Sequence, residues 1–408
     1  MIALFTGVSG LSAHQQAVDV IANNIANINT IGYKASRVSF TDALSKTIRG
    51  GSLSGTNPMQ VGLGVAVGAA DPNMTQGNLQ STGRPSDLAI EGEGFFVLGN
   101  GTNQVYTRAG NFGLDAGNRL VSTTNGMSVL GWQADPVTGE IDTTQTIGPS
   151  SFITIPLGTM ALARASSEVV YESNLDSNTA IGDSVDTSFY VYDSLGNTHE
   201  VLVTFQKTAD NTWSWTATSP DMDPAAVPST GVLTFDSNGH IVTADSACSL
   251  TLADAKGAVS PVDFTLDFES AIQLAGDSTI RAVSQDGVAV GWLEGYTINQ
   301  EGIIVGAFSN GLTQNLGQVS LASFVNPSGL MKIGGNLLVP SSSSGTATVS
   351  TAGRAGCGAI AAGYLELSNV NLAEEFANLI VTQRGFQANS RIITTADEMM
   401  QDLITLKR

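Results

Sequence analysis

Cysteine is almost missing from this chain: Cys248 and Cys357 are the two among 408 residues, and neither lies in a CxxC pair or beside a histidine. A disulfide framework and a cysteine-held metal are thereby excluded, leaving two buried or incidental thiols. Histidine is equally scarce, and His14, His199 and His240 show no ligand spacing. Charged residues make up 13%, about half the usual share. Positive charge is scarcest: 17 Lys and Arg against 36 Asp and Glu give a net charge of −19. That balance excludes an electrostatic nucleic-acid binder and disfavours anionic membrane surfaces. The longest nearly apolar run, Val61–Ala70, is too short and glycine-rich to span a bilayer, so no membrane insertion is expected. The opening MIALFTGVSGLSAHQQ has no basic leader, continuous apolar stretch or small-residue cleavage site, so no cleavable secretion signal is expected.

Catalytic signatures are missing as well. There is no GxGxxG after a strand, no GxxxxGK[ST], no HExxH and no GxSxG. The acidic pairs Glu91/Glu93 and Asp221/Asp223 suit solvated turns better than acid–base work. Asp236, Asn238 and Gly239 resemble the start of a calcium loop but lack its glutamate at the twelfth position, and a type I′ turn is the simpler expectation. No catalytic residue, cofactor or metal is expected.

What the chain does have is glycine, 45 residues of it, and an apolar period that changes twice. Near the start, Leu4, Val8, Leu11, Gln15, Val18, Ala22 and Ile25 alternate spacings of four and three, a heptad seam with six of seven positions apolar. Near the end, Leu372, Phe376, Leu379, Gln383, Phe386, Ser390, Ile393, Asp397, Met400 and Ile404 repeat the alternation with seven of ten apolar. Each stripe needs a partner helix. Asn371 with Glu374 marks the start of the second helix, and Asn27, Asn29 and Gly32 the stop of the first. Gly7, Gly10 and Gly385 cost each helix about 1 kcal/mol relative to Ala, so both depend on packing.

Between the helices the texture is strand and turn. DSLGN at 193–197, DSNGH at 236–240, INQEG before Ile303 and SNG before Leu312 read as hairpin turns. Alternation puts Phe264, Leu266 and Phe268 on one face, and likewise Trp213, Trp215 and Ala217. The expected class is mainly β and multidomain with terminal α-helices, which pair antiparallel as a coiled coil because both leave one β body. The expected division is 1–28 plus 364–408 helical, 29–78 and 341–363 connectors, 79–144 plus 286–340 a discontinuous β domain, and 145–285 an inserted β domain. That insert holds 17 acidic and 4 basic residues. Lys34, Arg37, Lys46 and Arg49 form a basic cluster after the first helix, suited to a partner contact or a solvated connector.

Five stretches resemble the bacterial flagellar rod and hook family. NNIANINTIGYKASRVSF at 23–40 matches its N-terminal signature, carried by Asn23, Asn24, Ile25, Ala26, Asn27, Gly32, Tyr33 and Lys34. The segment from Ser368, with TQRGFQANSR at its centre, looks like the C-terminal half, carried by Gln383, Arg384, Gly385, Phe386, Gln387, Ala388 and Asn389. STGRPSDLAIEGEGFFVL at 81–98 and YTRAGNFGLD at 106–115 resemble segments shared by hook and distal rod members. The stretch from Val191 to Trp215 looks like the extra β domain of hook members, which favours a hook subunit over the shorter distal rod type.

The resemblance implies a helical homopolymer whose inner tube is built from the terminal helices. Leu4, Val8, Leu11, Val18, Ala22, Ile25, Leu372, Phe376, Leu379, Phe386, Ile393, Met400 and Ile404 would be its polymerisation seam, with Ile21, Ile380 and Ile392 left for neighbouring subunits. It further implies a curved universal joint passing torque from rod to filament, outside the cell, exported untrimmed by the flagellar type III apparatus. The implied partners are the distal rod protein, a hook cap and a hook–filament junction protein. The alternatives are a distal rod-type axial protein or an unrelated extracellular β-rich enzyme or adhesin.

Overall fold

The computed structural model describes residues 2–49, 59–136 and 138–406. Two long helices stand at the ends of the order, α1 at Ile2–Ala26 and α2 at Leu372–Leu406, and strands and turns fill the chain between them. Asn371 caps α2, its side-chain oxygen accepting from the backbone of Ala373. Contacts divide the chain into two units, one of residues 1–155, 296–305 and 315–408, the other of 156–295 and 306–314.

The first unit contains α1, α2 and a nine-stranded sheet. Along its main path run Met331–Gly334, Leu337–Val339, Gln104–Thr107, Phe95–Gly99, Ser128–Val129, Leu120–Ser122 and Phe112–Leu114. Phe95, Val97, Tyr106, Leu130 and Phe324 are buried in one cluster. Within it Phe324 meets Phe95 and Tyr106 edge-on, the arrangement ring quadrupoles favour. Two short ladders bring distant segments side by side: Leu79–Ser81 with Tyr364–Glu366, and Leu88–Glu91 with Ala359–Ala362. The expected connector at 29–78 carries strands: Ser36–Asp42 pairs antiparallel with Val65–Pro72, and Ser45–Arg49 with Met59–Gly62. Small side chains on Gly68, Ala69 and Ala70 had concealed that ladder, because strand alternation is legible only when one face is large and apolar.

The second unit holds two sheets around one core. One is a five-stranded antiparallel meander, Ser184–Tyr192, Thr198–Ala209, Thr212–Thr218, Ser229–Phe235 and Ile241–Ala244. The other orders Ala247–Leu250, Val262–Leu274, Glu168–Asp176 and Arg281–Gln285, with Glu168–Asp176 and Val262–Leu274 parallel. Trp213, Trp215, Tyr171, Phe205, Leu266 and Phe268 bury their side chains between them. The alternating faces expected at 213–217 and 264–268 both point into this core.

One turn recurs in both units. At 115–119, 193–197, 236–240 and 299–303 an Asp or Asn side chain accepts from the backbone N–H groups two and four residues on. The fourth residue has positive φ: Asn118, Gly196, Gly239 and Gly302. At 236–240 only Gly239 lies in that region, so the turn is a type I turn followed by a left-handed residue, not the expected I′. Asp236 Oδ1 accepts from the backbone N–H groups of Asn238 and His240, which fixes the turn.

Candidate functional site

The helices run antiparallel. Gly7 lies against Ile392 and Ile393, Gly10 against Asn389, His14 against Gly385, and Asn24 against Glu375, so each step forward on α1 is a step back on α2. The buried line on α1 is Gly7, Gly10, Ala13, Ala17, Ile21 and Asn24, mostly small residues. A Cβ built on Gly10 would come within 2.7 Å of Asn389 and one on Gly385 within 2.7 Å of the His14 ring. Glycine at these positions lets the backbones approach closely.

That line sits one residue before the expected apolar seam. Val8 and Ala22 are exposed, while Leu4, Leu11, Val18 and Ile25 flank the contact half-buried. On α2, Leu379, Phe386 and Ile393 are half-buried at the contact, and Leu372, Phe376, Met400 and Ile404 are exposed. On α1 the large seam residues therefore border the intramolecular contact, where close packing selects mostly small ones, while on α2 Ile393 meets Gly7 directly. Ile21 is buried and not free for a neighbour, a correction to the expectation, whereas Ile380 and Ile392 are exposed. Phe5 at 70% exposure, Phe376 at 49%, Ile380 at 53% and Ile404 at 67% make the remaining surface of the pair unusually apolar.

Below the pair lies a polar junction that accounts for the N-terminal motif residue by residue. Asn24, only 1% exposed, donates to the Ser36 carbonyl at 2.8 Å and to Glu375 Oε1 at 3.0 Å, and accepts from the Ser36 N–H at 2.9 Å. One side chain thus holds the end of α1, the first strand and the first turn of α2. Asn23 Oδ1 accepts from the Tyr33 hydroxyl at 2.9 Å and from Asn27 Nδ2 at 3.1 Å. Ile25 is half-buried and Ala26 exposed. Gly32 has φ +68°, and a Cβ there would stand 2.6 Å from the Ala109 nitrogen. Both facts demand glycine.

Lys34 then enters a buried charge cluster. Its ammonium donates to Glu366 Oε1 at 2.6 Å and to the Thr75 carbonyl at 2.7 Å. Arg108 reaches Glu366 Oε2 at 3.3 Å and the Gly92 carbonyl at 2.8 Å, and the Gly77 N–H donates to Glu366 Oε1. Burial pulls the Lys34 and Arg108 pKa values down, while Glu366 opposes the shift in each. Lys34 accordingly leaves the expected basic cluster: it is buried and paired, while Arg37 and Lys46 are exposed. The Arg49 side chain lies outside the described residues.

In the C-terminal motif, Gly385 and Asn389 meet α1, Phe386 is half-buried, and Gln383, Arg384, Gln387 and Ala388 are exposed. Sequence reasoning missed Glu366, Arg108 and Asn369. Asn369 accepts from the Ala35 N–H at 2.8 Å and donates to the Asn73 carbonyl at 2.9 Å, tying the approach to α2 to both flanks of the first ladder. Its signal was an asparagine two residues before the capping Asn371. Among the described residues no three His, Cys, Asp or Glu side chains form a metal-holding group, and no helix is long and apolar enough to cross a membrane.

Four family models match the chain. They are Flagella basal body rod protein at 4–34, Flagellar hook protein FlgE/F/G D1 domain at 89–166, Flagellar basal body protein FlaE D2 domain at 164–288, and Flagellar basal body rod FlgEFG protein C-terminal at 361–406. The chain is 38% identical over 464 residues to the flagellar hook protein FlgE of Treponema pallidum, covering all of both chains. Against the hook protein FlgE of Escherichia coli it is 36% identical over 421 residues, again covering both fully. The chain belongs to the flagellar hook protein family. The fold agrees: the crystal structure of Helicobacter pylori hook protein FlgE2 superposes with a TM-score of 0.50 at 17% identity, covering 70% of this chain and all of that one. As a hook protein the chain is a structural subunit of the flagellum that assembles with other flagellar components. The family-model matches at 4–34 and 361–406 cover most of the two terminal helices and the segments that lead out of α1 and into α2.

Proposed function

We propose that this hook subunit polymerises into a short curved tube that acts as a universal joint, passing motor torque from rod to filament while it bends, and that it catalyses no reaction. The observation that supports this is the apolar surface the helix pair keeps after pairing, from Phe5 on α1 to Phe376, Ile380 and Ile404 on α2. A head-to-tail contact that does not close makes a filament, and such a surface can supply one. In this reading the apolar seam residues, from Leu4 to Ile25 and from Leu372 to Ile404, pack between subunits. Residues 1–28 with 364–408 form the polymerising part, and the acidic insert near 145–285 supplies small, hydrated contacts that exchange as the tube bends. The chain travels unfolded through the flagellar type III exporter, without a cleaved leader, to a place outside the cell. There it meets the distal rod protein, the hook cap and the hook–filament junction protein.

Truncation after Asp397 tests the reading, because the register of the pair puts the later residues of α2 beyond the start of α1. The truncated subunit is expected to keep its thermal transition yet form no tubes in electron micrographs; normal tubes from it would contradict the proposal. Deleting 145–285 is expected to leave tubes that are straight or stiff.

A further inference from the structure

Beside the buried cluster lies a cavity of about 220 Å³ with three cations in its lining, Lys34, Arg108 and Lys332. Among the described residues no acidic side chain lines it. The acid nearest these cations, Glu366, is completely buried, and its two oxygens are already occupied by Lys34, Arg108 and the Gly77 N–H. Arg108 is 5% exposed, and its Nε–H is buried with no acceptor. Lys332 stands on the open rim. Its ammonium has two neutral acceptors, the Lys34 carbonyl and Ser36 Oγ, each at 3.1 Å, and the Tyr33 ring 5.0 Å away. Two buried cations sharing one bonded carboxylate, with Glu93 acting on Arg108 only through space and a third cation over them, leave an excess of positive charge in a chain whose net charge is −19. Desolvation lowers the Lys332 pKa, as it does those of Lys34 and Arg108, so all three gain from an incoming negative charge.

We propose that this cavity receives a carboxylate side chain from a second copy of the chain, with Lys332 as its ion-pair partner. The inference rests on the assembly reading above. Charge complementarity selects the occupant: 36 acidic residues per copy outnumber the basic ones two to one, and a polymer holds neighbouring copies at high local concentration. Met74, Leu337 and Leu338 give the cavity apolar walls that suit the methylenes behind a carboxylate.

A zero-length carbodiimide, which joins an amine only to a carboxylate already touching it, tests this on tubes assembled from a mixture of unlabelled and ¹⁵N-labelled subunits. The expected product is a mixed-label peptide linking Lys332 to an Asp or Glu. Lys332→Gln is expected to raise the critical concentration for assembly roughly tenfold, as loss of a charge-assisted bond does, and Lys332→Arg to restore it while abolishing the link. Tubes in which Lys332 stays unlinked and Lys332→Gln assembles at the wild-type concentration would overturn this proposal alone. An absence of tubes from the wild-type chain would overturn the assembly reading and this one with it.

Discussion

Asn24 and Glu375, 351 residues apart in the chain, share a hydrogen bond of 3.0 Å from the last turn of α1 to the first turn of α2. Because Asn24 also exchanges two hydrogen bonds with the backbone of Ser36, the bond closes a three-way joint between both helices and the first strand. Asn24→Ala removes these three hydrogen bonds and a fourth from the Tyr33 hydroxyl at 3.3 Å, at a buried site where each unsatisfied group costs about 1–3 kcal/mol. The expected result is a lower thermal transition and faster amide exchange at Ser36, with Asn24→Ser recovering only part of the loss.

Glu366→Gln is the harsher change. It keeps the shape but leaves Lys34 and Arg108 as buried cations without a neutralising charge, a loss of about 3–5 kcal/mol. Equilibrium unfolding in urea is expected to show a markedly lower midpoint with unchanged slope. A double replacement, Glu366→Gln with Lys34→Met, is expected to recover part of it.

Glycine substitutions separate propensity from contact. Gly10→Ala improves helix propensity by about 1 kcal/mol but drives a methyl into Asn389. Gly32→Ala meets backbone at Ala109 and adds strain from positive φ. Gly10→Ala is expected to be rescued by Asn389→Gly, and Gly32→Ala by no side-chain change nearby, as double-mutant cycles of thermal stability would show.

The two kinds of carboxylate respond to pH with opposite signs. Asp115 and Asp236 sit below the ordinary carboxylate range, held there first by the backbone N–H groups of Arg119 and His240 respectively. Their stabilisation is complete above the unfolded value, about 4, and is lost as the pH falls through the lower folded value. Glu375 is raised by burial, with Glu374 adding to the shift and the Asn24 bond opposing it. Its docking is favoured below the unfolded value and weakens as the pH rises towards the folded one. Glu375→Gln is therefore expected to strengthen the helix pair at neutral pH and flatten its pH dependence, read from exchange of α1 amides between pH 4 and 7.

The helices, the hairpin turns and the alternating strands at 213–217 and 264–268 were legible because period and turn chemistry act locally. The contact face of the helix pair was not. Heptad reading ranks positions by size and apolarity, whereas Gly7, Gly10, Ala13 and Ala17 earn their places by being small. The ladder at 36–42 and 65–72 was hidden for a related reason, having few large side chains to alternate. The Lys34–Glu366–Arg108 cluster joins residues far apart in sequence, and nothing local marks Glu366 in LELSN as buried and charged. Motif resemblance pointed at Asn24 and Lys34 without saying what they hold; the geometry supplies that.

The wide separation of Asn24 from Glu375 has a consequence for the order of events in a new molecule. Nothing near α1 in sequence offers the narrow groove its glycines and alanines require, so the segment must wait, as a helix of marginal stability, until α2 reaches it. Completion of the chain, and not the appearance of its first turns, is the moment at which the two ends become one structural element.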